Sequence, residues 1–521
     1  MSTLAARPRS RHAFTWLLAS LAAVPLSAGV IEADLGEALR TATAEQQLAV
    51  LVDFAQPAAP VLTVVAHEDR GAGRARLVQA LRARAGATQL AAREILARHG
   101  SRPPVSLWAI NAIAVTASPA AIRELTTLPT VTRVRLDATV PLAATAAGTS
   151  ATPGWNLSLV RAPDVWAAGF RGAGAVVAVL DSGVDGKHPD LAGRFRGGDN
   201  SWFDPNGDHA APADRDGHGT RAAGLVLGAG GTGVAPHARW IAAKIFDDRG
   251  VATLSGIHLA FQWLLDPDGD PATDDAPDVV NNSWGLPETA GTCEREFEPD
   301  IAVLRAAGIA VVFAAGNEGP ADATSVSPAN NPGALAVGAV DARATIDASS
   351  SRGESACGGP FPHLVAPGVD IRTTDLTFGG VIPDSYAFVT GTSFAAPHAA
   401  GVLALLRAAY PQATVAQLEQ ALTTAAVDLG DPGPDSDHGA GLLDAAAALT
   451  ALGAMTEGRA CRDADGDGFY ADDSCGTAVD CNDADAAVHP SECQATGSCN
   501  GPEATSCMRV RRRLGGTGRI G

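Results

Sequence analysis

What the 521-residue chain has least of narrows what it can do. No cysteine precedes Cys293, so nothing in the amino-terminal half can be stapled by disulfides or bind metal through thiolate. Basic residues are scarce, 38 Lys and Arg against 57 Asp and Glu, for a net charge of −19. Such an acidic body excludes nucleic acid as a partner, because neutralising phosphates requires basic surface. Long apolar runs are missing too. The alanine-rich stretches are broken by Pro, Arg or His at intervals too short to span lipid, so no stable membrane insertion is expected.

What remains is enough chain for two or more domains, each with its own core. Arg7, Arg9 and Arg11 lead into an apolar stretch, residues 14 to 26, followed by the small residues Ser27, Ala28 and Gly29. That is a signal-peptide pattern over residues 1–28, with an uncleaved anchor as the alternative, and it favours export either way. In an exported chain the eight cysteines suggest disulfides: Cys293 and Cys357 in the body, and six between Cys461 and Cys507 whose connectivity stays open. Free buried thiols are the alternative for the first pair. Charge is divided as well. Residues 29–148 hold 12 Arg against 10 acids, about +2, whereas 149–455 hold 16 basic against 36 acidic residues, about −20, so the two parts attract.

Residues 29–148 read as a small α+β unit, with a strand over Leu48–Phe54, a helix over residues 75–99, a strand run over 105–116, a short helix opened by Ser118-Pro119, and a strand over Val131–Leu136. From about Trp155 the pattern changes to short apolar runs (175–180, 240–246, 279–280, 309–315 and 334–340) separated by helices. Runs apolar on both faces are expected of a parallel sheet covered by helices, and they assign 149–455 to one α/β domain. Residues 456–508 are rich in Asp, Gly and Cys and too small to build a core unaided, so metal or disulfides must hold them. The basic end, residues 509–521, reads as a solvated tail.

The chemistry-bearing residues fall at element ends. Asp181 ends the strand Val-Val-Ala-Val-Leu, which places a carboxylate at the carboxyl edge of the sheet, where α/β folds put active sites. His218 lies in Asp-Gly-His-Gly-Thr, where flanking glycines permit close backbone approach. Ser393 lies in Gly-Thr-Ser-Phe-Ala-Ala-Pro at the start of an apolar helix, whose first amides are free to stabilise an oxyanion. Asn317, after Gly316 at the end of another strand, can donate a second oxyanion bond from its side-chain amide. Singly, each residue reads more readily as a cap, a structural histidine or a turn; together, in the order Asp, His, Asn, Ser, they carry the argument.

With these motifs the sequence resembles the subtilisin family over about residues 150–450, and Asn281-Asn282-Ser283-Trp284-Gly285 with Ser350-Ser351-Arg352-Gly353 resembles its bacillopeptidase F branch. The resemblance implies a three-layer α/β fold with a seven-stranded, mostly parallel sheet. It implies that Ser393 attacks the scissile carbonyl, that His218 takes and returns the proton, and that Asp181 orients the imidazole. The Ser393 amide and the Asn317 side chain would form the oxyanion hole. Ser283 and Gly285 would pair main chain to main chain with an extended peptide, with Trp284 and Gly316 also binding substrate, and with Trp284 and Val326 touching the primary pocket. Two residues depart from the family pattern: Arg221 stands where a second histidine is frequent, and Phe394 where methionine often follows the serine. His258, His363 and His398 are expected to be structural.

The stretch 111–137 resembles the amino-terminal propeptide that assists subtilase folding and inhibits the nascent enzyme; its positive balance suits docking on the acidic body, and the cut is expected between Leu142 and Thr152. A domain retained in the mature protein is the alternative. In the tail, Asp463, Asp465 and Asp467 have the spacing of a calcium loop without its closing Glu, and Asp480, Asp483 and Asp485 could add ligands. A second acidic cluster, Asp266, Asp268, Asp270, Asp274 and Asp275, is a calcium candidate at even weight with a solvated loop. Calcium is the cofactor implied, with no organic cofactor, and peptides and proteins are the substrates implied. The rival readings are a catalytically silent calcium-binding or adhesion protein, and an esterase or peptide ligase on the same site.

Overall fold

The computed structural model describes residues 29–55, 70–143, 146–148 and 154–456. The signal-peptide reading, the last six cysteines, the Asp463, Asp465 and Asp467 loop and the basic end all lie outside them. The amino-terminal part contains β1 (Val30–Ile31), α1 (Ala33–Thr41), β2 (Leu48–Phe54), α2 (Arg70–Thr88), α3 (Leu90–Arg98), β3 (Val105–Leu107), β4 (Ala112–Ala117), α4 (Pro119–Leu125) and β5 (Val131–Leu136). Its sheet runs β1-β5-β2-β4-β3, and apolar residues of β2, β4 and β5 pack with α1, α3 and α4 in one core. Two expected elements divide here. The helix over 75–99 breaks at Gln89, whose buried side-chain amide donates to the Ala112 carbonyl at 3.0 Å, and the run over 105–116 folds back on itself at Asn111, which has φ +57°. Both breaks depend on polar groups satisfied from distant residues, which periodicity does not report.

A connecting segment carries β6 (Thr139–Pro141) and β7 (Ala146–Ala147). The larger domain then contains α5 (Trp155–Leu159), α6 (Ala162–Ala167), β8 (Val176–Asp181), α7 (Pro189–Ala192), β9 (Trp202–Phe203), α8 (His218–Leu227), β10 (Arg239–Lys244), β11 (Val251–Thr253), α9 (Leu254–Leu265) and β12 (Val279–Asn282). It continues through α10 (Glu298–Ala306), β13 (Ala310–Ala314), β14 (Leu335–Val340), β15 (Leu364–Pro367), β16 (Ile371–Thr374), β17 (Tyr386–Thr390), α11 (Thr392–Ala409), α12 (Val415–Thr424) and α13 (Ala445–Thr456). Seven strands pair in parallel in the order β15-β14-β13-β12-β8-β10-β9. This is the three-layer α/β fold expected. Alternate residues of each strand enter opposite cores: Val177, Val179 and Val312 join α8 and α11 on one face, while Ala178, Leu180 and Val311 join α9 and α10 on the other.

The order places β8 between β12 and β10, so the chain leaves β8 in opposite directions on its two sides. A crevice opens at the carboxyl end of such a strand, and Asp181 sits there. The amino-terminal part covers the α9 and α10 side. Leu77, Val78 and Leu81 of α2 enter the core beneath the sheet, Gln262 accepts from the Ala109 N–H at 3.1 Å, and Asp137 caps the start of α9 by accepting from the N–H and hydroxyl of Ser255. Cys293 and Cys357, 64 residues apart, form a disulfide, which settles their alternatives.

Candidate active site

Each candidate side chain is placed by an element end. Asp181 is fully buried, and its Oδ1 accepts from His218 Nδ1 at 2.7 Å and from the Ser182 N–H at 2.7 Å. His218 opens α8 after Gly217, whose φ of +97° is a conformation suited to glycine. Gly219 must also stay small: a Cβ there would lie 2.1 Å from the Gly183 carbonyl oxygen. Burial by itself depresses the His218 imidazole, but the charge and hydrogen bond of Asp181, with Asp216 and Asp214 behind it, outweigh that, so its pKa stands above the ordinary histidine value. The other ring nitrogen, Nε2, is buried without a hydrogen-bond partner.

Ser393 occupies the first turn of α11, and its Oγ donates to the Ser283 carbonyl at 2.9 Å. Ser283 returns the contact, its hydroxyl donating to the Ser393 carbonyl at 2.7 Å while accepting from Asn281 Nδ2 at 2.9 Å. The strand end that would carry a peptide is thereby bolted to the helix that carries the serine. Asn317 accepts at Oδ1 from both the N–H and the hydroxyl of Thr392, each at 3.0 Å. With its oxygen so fixed, its amide nitrogen is free to donate beside Ser393. Gly316 has φ +109°, and a Cβ there would meet Val326 at 2.6 Å, while one at Gly285 would meet the same side chain at 3.2 Å. Val326 therefore lies between the two backbone segments assigned to substrate.

Trp284 is placed differently from the expectation that its side chain touches the primary pocket. Its ring is 3 % exposed and packs 5.5 Å from both Phe297 and Phe313 in the core under the sheet. Alternation explains this: just past β12 the Ser283 hydroxyl reaches the Ser393 carbonyl on the α11 side, so in an extended chain the next side chain turns to the opposite face. Any contact of Trp284 with substrate is through its main chain.

One support, Asp214, was not read from the sequence. Asp214, buried, accepts at Oδ1 from the N–H groups of Asp216 and Gly217 and from the Ser182 hydroxyl, and at Oδ2 from the N–H and hydroxyl of Thr220. It fixes the loop on which His218 rides, and an aspartate four residues before a helix-opening histidine was the available signal. Arg221 pairs with Asp375 at 2.9 Å, which gives it a partner in place of the family's second histidine. His398 bonds the Phe394 carbonyl and Asn156, and burial pushes its pKa down to about 4, so it stays neutral within α11. His363 accepts from the Ala336 N–H and lies just before β15. His258 lies between Asp300 and Glu296 on the opposite side of the sheet.

A buried aspartate–histidine pair, whose imidazole lies 5.6 Å from the ring of the residue after a helix-opening serine, and an asparagine anchored to the residue before that serine are the components that serine hydrolases use. The sequence profile of the subtilase family matches residues 172–441. Bacillopeptidase F of Bacillus subtilis (strain 168) is 34 % identical over 391 residues, a match covering 68 % of this chain and 26 % of that protein. Subtilisin E of the same strain is 33 % identical over 362 residues, covering 68 % of this chain and 85 % of subtilisin E. Subtilisin of Bacillus pumilus is 34 % identical over 300 residues, 56 % of this chain and 98 % of that one. The chain belongs to the subtilase family of serine endopeptidases.

Proposed function

We propose that the chain is an exported endopeptidase, made as a self-processing zymogen, in which Ser393 Oγ attacks the scissile carbonyl carbon and passes its proton to His218 Nε2. The observation that carries this reading is the buried Asp181–His218 pair, with Nε2 left unpartnered and the imidazole 5.6 Å from the ring of Phe394, the residue after the serine. Turning the Ser393 hydroxyl from the Ser283 carbonyl toward Nε2 starts the reaction. The oxyanion is held by the Ser393 N–H and the Asn317 amide; the imidazolium, stabilised by Asp181, then protonates the departing amine as the C–N bond breaks. Water hydrolyses the resulting acyl-serine by the same proton path in reverse. Hydrolysis of casein by the wild type and its loss in Ser393→Ala tests the assignment, and equal activity in both would sink it. A silent binding protein predicts no hydrolysis by either.

Residues 29–148 are the inhibitory propeptide in this reading. What supports it is β6, which adds an antiparallel strand to β11, with the Leu142 N–H donating to the Gly250 carbonyl at 2.8 Å, as an extended peptide product would. Beyond it, β7 pairs with β17, the strand that leads into Ser393. Both pairings flank the interval expected for the cut, and the second is made to the strand that precedes Ser393 in the chain. Amino-terminal sequencing of secreted wild type and Ser393→Ala tests this: the uncut form should persist only in the variant. Calcium as a structural ion, held by Asp463, Asp465 and Asp467, belongs to the same proposal and rests on their sequence spacing.

A further inference from the structure

Helix α2 docks on the larger domain through arginines. Arg70 pairs with the buried Asp278, Arg74 with Asp274 at 2.8 Å, and Arg82 with Asp266 at 2.5 Å. The third pairing sits in a distinctive place. Asp266, Asp268 and Asp275 each bring a carboxylate oxygen to within 4.8 Å of the others, at the loop between α9 and β12. Asp266 is 93 % buried, 7 % of its surface remaining, and its Oδ1 has no hydrogen-bond partner. Burial pushes the Asp266 carboxyl up against the pull of Arg82, and Asp275 and Asp268 push the same way. Arg82 is the cation paired with Asp266, and Arg196 lies near Asp268 and Asp275.

The Arg82 guanidinium takes Asp266 Oδ2 with one nitrogen and the Gly269 carbonyl, at 3.2 Å, with another. A carboxylate and a loop carbonyl are the oxygen types that a hard divalent cation uses. Asn200 and the Asp268 N–H already orient Asp275 Oδ2, at 2.9 and 3.0 Å, so that arm of the cluster is preformed without Arg82. We infer that Asp266, Asp268 and Asp275 form a calcium site that Arg82 of the amino-terminal domain occupies, so that calcium and this domain compete for it. Calcium prefers six to eight oxygens at about 2.3–2.6 Å, which three carboxylates, the loop carbonyl and water supply. Calcium at about ten times its dissociation constant disfavours the Arg82-paired arrangement about elevenfold, and by linkage the factor by which saturating calcium weakens docking is the factor by which docking weakens calcium. Arg70 and Arg74 keep their partners, so calcium loosens the domain and does not expel it.

The test uses the full chain carrying Ser393→Ala, so that it does not depend on the proteolytic reading. Calorimetric titration with calcium compares this protein with Arg82→Gln and with Arg82→Gln plus Asp268→Asn in the same background. Arg82→Gln should bind calcium at this site several-fold more tightly, and the exposed Asp268→Asn change should remove that binding while leaving ions bound elsewhere in the chain. An unchanged calcium affinity on Arg82→Gln, or a gain in affinity that survives Asp268→Asn, overturns the inference. Amide exchange gives a second readout that needs no change at Arg82: saturating calcium should speed exchange in residues 70–88, and should not do so in Asp268→Asn. Slower or unchanged exchange in the parent would mean that calcium and Arg82 do not share the site.

Discussion

His258 should make the stability of the protein fall steeply on the alkaline side. It is buried in α9, with Nδ1 2.8 Å from Asp300 and Nε2 2.7 Å from Glu296, and Glu296 also holds Arg135 of the amino-terminal domain at 2.6 Å. Burial alone would lower the histidine pKa, but the two carboxylates outweigh it and raise it from 6.5 to about 9. Burial would likewise push Glu296 up, yet His258, Arg135 and Arg133 hold it down; at Asp300, more deeply enclosed, burial wins and the carboxyl is raised. The proton lost is therefore a property of the cluster. A folded pKa above the unfolded one means stability that is fully present below pH 6.5 and lost as pH rises through 9. At about 1.4 kcal/mol per unit, the loss is about 3 kcal/mol. Urea unfolding of the Ser393→Ala chain between pH 6 and 10 measures it, with His258→Gln in the same background as the comparison. The variant should be less stable at neutral pH and show a flatter profile; parallel profiles would refute the assignment of the proton to this cluster.

Four other outcomes are expected. Asn317→Ala should lower kcat about 10²- to 10³-fold, a magnitude taken from the same amide in subtilisin and not worked out from this structure, with KM little changed. Because Asp181 raises the His218 pKa and the base must be neutral, kcat/KM should rise through an acid-limb midpoint above 6.5, and Asp181→Asn should lower both that midpoint and the plateau. Peroxide that leaves the disulfides intact should not quench turnover, since Phe394, not methionine, packs 5.6 Å from the His218 ring and the chain's three methionines are Met1, Met455 and Met508; rapid loss of activity would count against this. Replacing both Cys293 and Cys357 by Ser should cost about 4 kcal/mol by the loop-closure relation for the 64-residue separation, read as a lowered urea midpoint.

How much of this was legible in the sequence depends on the range of the interaction that decides it. The residues of the candidate site stand at strand and helix ends, where a local motif and the end of a hydrophobic run coincide, so Asp181, His218, Asn317 and Ser393 could be picked out as a set by their joint placement, though not one by one. The sheet was legible for the same reason: buried parallel strands are continuous apolar runs, and their boundaries are where those runs stop. What stayed hidden was set across the chain. Trp284 was assigned to the pocket by its neighbours, but the pleat turns its ring 5.5 Å from Phe297 and Phe313. The acidic residues after α9 read as a possible ion site or a solvated loop because their decisive partner, Arg82, lies 184 positions before Asp266. The division of charge between the two parts of the chain did point to attraction, yet it could not show that the attraction runs through Arg70, Arg74 and Arg82 of one helix and Arg135 of a strand. Coulomb attraction falls off slowly and net charge predicts its sign; the competition between a guanidinium and a metal ion depends on which oxygens meet at one point, and only the folded chain brings Asp266, Asp268 and Asp275 to within 4.8 Å of one another.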